Sequence, residues 1–176
     1  MIQVIINDDN LKDKDIDSNV VRVKALMINS KGKILLAHNN GTYQFPGGHV
    51  EKDEDNNDCI EREIKEETGI KVFVKEKPFL CVTGYYDNYF DTGKKVKSDI
   101  YYYRFFTDST PNFEETHYDE LELASEFNLF YVDFKELRSF LKKKMEEGSI
   151  DKNIAREMLF VVKEYENIFG GLKWKY

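Results

Sequence analysis

Residues Asp55 to Gly69, DNNDCIEREIKEETG, constrain the fold more than any other stretch, because they mark both ends of a helix and two competing faces within it. Asp55 or Asp53 can cap the N-terminus, acidic residues crowd the first turn, and Gly69 stands where a C-terminal cap is expected. Ile60 and Ile64 lie one turn apart and call for a core. At 100° per residue, Glu63, Glu66 and Glu67 fall at roughly 0°, 300° and 40°, a stripe about 100° wide along the boundary of the buried face. Like charges at this spacing cost a helix about 0.2–0.5 kcal/mol per pair in water, and more where solvent is excluded. Something must compensate, and a hard divalent cation, which prefers carboxylate oxygens, is the natural candidate.

The rest of the chain reads as a sheet followed by helices. VVRVKALMIN (20 to 29) and KILLAHN (33 to 39) are β-branched apolar runs separated by Ser30, Lys31 and Gly32, which predicts a hairpin. Pro46, Gly47 and Gly48 punctuate TYQFPGGHVE, and KVFVKEKPFLCVTGYY, SDIYYYRFFTD and FNLFYVDF follow as strands. Lys135 to Glu146 reads as an amphipathic helix. A second, from about Asp151 to Phe169, has an apolar face of Ile154, Met158, Val161, Val162, Tyr165, Ile168 and Phe169. A length of 176 residues predicts one domain over 1–140, with a helical extension over 141–176 packed on it.

A formal charge of −7 argues against a broad basic surface for long nucleic acid. A small anionic substrate fits if a cation reverses the sign of a carboxylate cluster. Cys59 and Cys81 match neither structural zinc spacing nor a disulfide framework, which predicts buried, reduced thiols. The absence of a long apolar run and of a basic leader makes the cytoplasm the expected compartment, without membrane contact.

From Gly48 the chain runs through five residues to Glu54, then seven to Arg62-Glu63, Ile64, any residue, Glu66-Glu67, any residue, Gly69 and Ile70. This resembles the complete signature of the Nudix hydrolases, MutT-like proteins, with weaker likeness from about residue 20 to 140. Asp53, where the family often has Gly, and Cys59, where Ala is common, are minor departures. The resemblance implies an α+β fold with a central mixed sheet between helices. It also implies metal-dependent hydrolysis, with Mg²⁺ or Mn²⁺, of a nucleoside diphosphate linked to another group. A rival reading is a nucleotide sensor of the same fold that does not turn over.

Carried over by position, Gly48, Glu63, Glu66 and Glu67 would hold metal. Glu63 and Glu67 would also serve catalysis. Arg62 would orient a glutamate, and Glu54 would assist the metal site or cap the loop onto the helix. His49 is a turn residue more readily than a proton shuttle. Family members differ in their general base, and in the loop EETHYDELELASEF the position five residues before Tyr131 brings Glu126 forward, with Glu120 and Glu122 as alternates. Tyr85 and Tyr86 are candidates to stack on a base, although aromatic packing within a hairpin explains them too. Lys94, Lys95 and Lys97 could meet distal phosphates or simply form an exposed turn. A homodimer through the last helix is a further expectation.

Overall fold

The computed structural model describes residues 1–39, 41–89, 92–117 and 127–170. Among these residues, seven strands form one mixed sheet: β1 (Ile2–Ile6), β2 (Ser18–Ile28), β3 (Lys33–Asn39), β4 (Thr42–Gln44), β5 (Leu80–Tyr86), β6 (Val96–Phe106) and β7 (Asn128–Asp133). Their order is β1-β5-β6-β2-β3-β4, with β7 on the other edge of β3. Among the described residues, three α-helices cover the sheet: α1 (Asn56–Thr68), α2 (Phe134–Glu146) and α3 (Lys152–Phe169).

Period-two alternation along β2 sends its side chains to two cores. Val23, Ala25 and Met27 pack with Leu35 against Cys59, Ile60 and Ile64 of α1. Leu26 and Ile28 face the opposite way, with Ile34, Leu36, Leu80 and Val82, against Leu137 and Leu141 of α2 and Met158, Val161 and Val162 of α3. Burying Ile60 and Ile64 stabilises the α1 docking by about 1.5–3 kcal/mol each. A charge at Ile64 would break it. α1 begins where Asp55 accepts hydrogen bonds from Asn57 and Asp58 and ends at Gly69, whose φ is 71°.

The expected hairpin is present but barely zipped, since β2 and β3 share one pair, Ile28 with Ile34. β2 then pairs in parallel with β6 along its whole length. Its other edge takes the segment after β4: Ala25 N–H donates to Pro46 O (2.8 Å), Val23 N–H to Gly48 O (3.0 Å), and Val50 N–H to Val21 O (3.0 Å). The segment fills this splay and lays Gly47 and Gly48 along β2.

Three details differ from expectation. β1, parallel to β5, was not foreseen. Of KVFVKEKPFLCVTGYY only Leu80–Tyr86 is strand. Ile168 is 37% exposed, while Ala155 and Glu157 join the buried face of α3. Cys59 and Cys81 are free and buried, with burial pushing both thiols up. Among the described residues, no helix is long and apolar enough to cross a membrane.

Candidate active site

Gly47 adopts φ 130°, and a Cβ there would overlap the Val23 carbonyl, so only glycine lets this backbone lie so close to β2. Two glutamates of α1 reach the loop. Glu67, 3% exposed, accepts a hydrogen bond from Gly47 N–H at 2.9 Å. The Glu63 carboxylate lies against Gly48, where a Cβ would collide with it.

Arg62 links the rest of the acidic stripe to the loop. Its Nε and Nη2 grip both oxygens of Glu54 (2.7 and 2.9 Å), and its Nη1 donates to Glu63 and to Glu66, each at 2.9 Å. Its Nη2 also reaches His49 O at 3.3 Å. The Arg62 bond holds the Glu54 carboxyl down at about 2, and Glu54 in turn raises Arg62. Glu54 also accepts from Glu51 N–H (3.1 Å), which fastens the loop ahead of α1. The repulsion foreseen in the stripe is therefore met partly by an internal cation. Among the described residues, no three carboxylate, imidazole or thiolate groups are gathered as a ready cation cage; Arg62 stands between Glu63 and Glu66.

A second cation is buried nearby. Lys24, 4% exposed, donates from Nζ to Gln44 Oε1 at 3.0 Å. Burial lowers its pKa, while the charges of Glu157 and Glu67 oppose that fall. Arg22, two residues earlier on the same face, donates from Nε to His49 Nε2 at 2.9 Å. Burial first, then Arg22 and Lys24, holds the His49 imidazole below its ordinary pKa, which suits an acceptor.

Beyond Arg22 a cavity of about 200 Å³ opens between the sheet and α3, with Tyr86, Tyr89, Ser98 and Glu157 among its lining residues. Gly84 makes room for the Tyr86 ring, which a Cβ there would strike. Tyr85 lies apart from this cavity: its hydroxyl donates to Asp13 (2.7 Å), and Lys97 sits over its ring and pairs with the same Asp13. Lys95 pairs with Asp87. His38 packs on Tyr43, and His117 N–H donates to the Glu66 carbonyl (3.0 Å). Glu120, Glu122 and Glu126 lie outside the described residues.

Arg22, Lys24, Gln44, Tyr102 and Glu157 were missed by sequence reasoning. The signal was present for two of them: Arg22 and Lys24 occupy alternate positions in line with Leu26 and Ile28, charges on a strand face that otherwise builds core. Glu157 is a lone acid on the buried side of an apolar helix face, which by itself carries no such signal.

A profile of the NUDIX domain matches residues 18–156. A MutT-like protein of Streptomyces ambofaciens is 39% identical over 70 residues, covering 39% of this chain and 42% of that protein. The CTP pyrophosphohydrolase of Escherichia coli K12 is 40% identical over 63 residues, covering 32% and 47%. The chain thus matches less than half the length of either relative. In structure, the Ap4A hydrolase of C. elegans in a binary complex aligns with a TM-score of 0.53 at 18% identity, over 87% of this chain and 99% of that one, a likeness of fold.

Proposed function

We propose that this chain, which belongs to the NUDIX domain family, hydrolyses a small nucleotide in which a nucleoside diphosphate is linked to another group, with a divalent cation and by attack of water on phosphorus. The observation that carries this reading is the meeting of Glu63 and Glu67 on the Gly47–Gly48 loop, with Glu66 held one turn away by Arg62.

The donor set suits a hard cation, since carboxylate and carbonyl oxygens are what Mg²⁺ and Mn²⁺ take. Glu63, Glu66, Glu67 and the Gly48 carbonyl would hold it. When bound, it neutralises phosphoryl oxygens and lowers the pKa of attacking water. Arg62 keeps Glu63 and Glu66 in place before that event and remains as the stripe's own counter-charge. Gly47 N–H fixes the direction of Glu67. The water's oxygen bonds to phosphorus, the bridging P–O bond breaks, and the proton passes to a carboxylate, for which Glu126 is the candidate ahead of Glu120 and Glu122. Tyr86 forms one wall of the adjoining cavity, where the nucleoside end would lie.

The test is a panel of nucleoside triphosphates, dinucleoside polyphosphates, nucleotide sugars and ADP-ribose with Mg²⁺ or Mn²⁺, with products identified. Turnover of at least one compound, lost with EDTA, is expected. Binding without turnover anywhere would replace the hydrolase with a sensor.

A further inference from the structure

The cavity beside Arg22 ends on a carboxylate. Glu157 lies on α3, a helix outside the signature; it is 6% exposed, and its carboxylate lines the cavity. Its direction is fixed, because the hydroxyl of the fully buried Tyr102 donates to its Oε1. Burial, reinforced by the Glu157 charge, raises the Tyr102 pKa, so the phenol keeps its proton and remains the donor. Two rings form part of the walls, Tyr86 and Tyr89 tilted at 55° and 5.5 Å apart with Arg22 over the Tyr89 ring, and the remaining lining is largely polar, with Asn88, Ser98, Asn153 and Asp151, the last engaged in capping α3.

At about 200 Å³ the space falls below the roughly 300–1,000 Å³ of sites for drug-sized ligands, so it suits a single ring system rather than a whole nucleotide. A chain of contacts links it to the loop beside the acidic stripe: Arg22, on its wall, bonds His49 next to Gly48, and Lys24 feels the charges of both Glu157 and Glu67. A flat ring in the cavity would leave its phosphates on the side of the stripe.

We infer that Glu157 selects the nucleobase, admitting one with an exocyclic amine, such as cytosine, adenine or guanine, and disfavouring uracil and thymine. This deepens the hydrolase reading and rests on it. A carboxylate accepts hydrogen bonds and donates none. An amine pointed at Glu157 completes a charge-assisted bond. A carbonyl in the same place would set oxygen against oxygen, and neither would gain a partner there. Cytosine and uracil are nearly isosteric and differ in polarity at C4, amine against carbonyl, and at N3, acceptor against N–H donor; it is C4 rather than N3 that would face Glu157, and shape cannot account for discrimination between the two bases.

The experiment compares kcat/KM for CTP and UTP in the wild type, Glu157→Gln and Tyr102→Phe. The wild type should favour CTP by roughly 10- to 100-fold, the equivalent of one lost hydrogen bond to a charged group. Glu157→Gln keeps an acceptor for Tyr102 and adds an amide donor, and should bring the ratio to within about threefold of unity, chiefly through a gain with UTP. Tyr102→Phe, which frees the carboxylate to swing, should lower the ratio partway and serves if the glutamine variant does not fold. Equal rates in the wild type, or an unchanged ratio in both variants, overturn the inference while leaving the hydrolase reading intact. If no nucleotide is hydrolysed, that reading falls instead, and calorimetry with CMP and UMP decides the selectivity: tighter CMP binding, lost in Glu157→Gln, supports it, and equal binding or none refutes it.

Discussion

Arg62 is the most heavily used side chain of the site, and replacing it with methionine removes the charge while keeping most of the stem. Four N–H···O contacts to carboxylates disappear, at 2.7 Å and three times 2.9 Å, with a longer fifth to His49 O at 3.3 Å. A hydrogen bond to a charged group contributes about 1.5–3 kcal/mol at full burial. Arg62 is 26% exposed and Glu66 36%, so solvent screens part of this, and only the bidentate grip on Glu54 keeps most of it. The expected loss is about 2–3 kcal/mol without metal. In a chain of this length that lowers Tm by roughly 4–12 °C. Urea unfolding in EDTA measures it directly. Repeated in millimolar Mg²⁺, the gap should shrink, because a cation bound by the folded state supplies the compensation that the arginine gave. A double-mutant cycle with Glu54→Gln should return a coupling above about 1 kcal/mol. A variant within about 0.5 kcal/mol of wild type in EDTA, the scale of an inconsequential surface change, would refute the reasoning, because Arg62 would then not hold the stripe together.

Glu67→Gln and Glu66→Gln should keep the fold by circular dichroism, since an amide oxygen can still accept from Gly47, yet lose roughly 10²–10⁴ in kcat; near-normal rates at limiting Mg²⁺ would remove both residues from the metal site. Glu54 has a folded pKa of about 2 against an ordinary 4.5, so its contribution to stability is complete above pH 4.5 and disappears as pH falls toward 2. Denaturation midpoints of wild type and Glu54→Gln should therefore converge across that interval, and a constant offset would show that the carboxyl does not titrate as described. Glu126→Gln should lower kcat by roughly 10²–10⁴ with little change in KM. A large loss in Glu120→Gln or Glu122→Gln, with Glu126→Gln near wild type, moves the role to that residue.

The parts legible in the sequence were those written in local terms. Asp55, Ile60, Ile64 and Gly69 specify α1 within a few residues, and the cap, core and stop lie where the pattern puts them. The α3 pattern placed its helix equally well. What sequence could not give was the partner of each strand edge. Nothing in VVRVKALMIN says that β2 abandons β3 after one pair, because that choice depends on Pro46 and Gly48 arriving alongside from residues further on. Similarly, KVFV looks like a strand by composition yet pairs with nothing as one. In the candidate site, spacing brought the glutamates forward as a group but not the partition among them: that Glu67 takes a backbone N–H while Glu66 takes a guanidinium is settled by side-chain reach in three dimensions. Glu157 was hidden because a lone acid on an apolar helix face is informative only once its neighbours across the sheet are known.

The early parting of β2 from β3 also divides labour within the molecule. Pro46 to Val50 acts as a wedge driven between two strands that would otherwise zip, and it is held by main-chain groups. Its main-chain bonds to β2 do not depend on the side chains that line the cavity beyond Arg22. The cavity lined by Tyr86, Tyr89 and Glu157 lies away from that wedge, against β5, β6 and α3, so these residues can drift in identity and alter what the cavity admits while the two glycines keep their place beside β2.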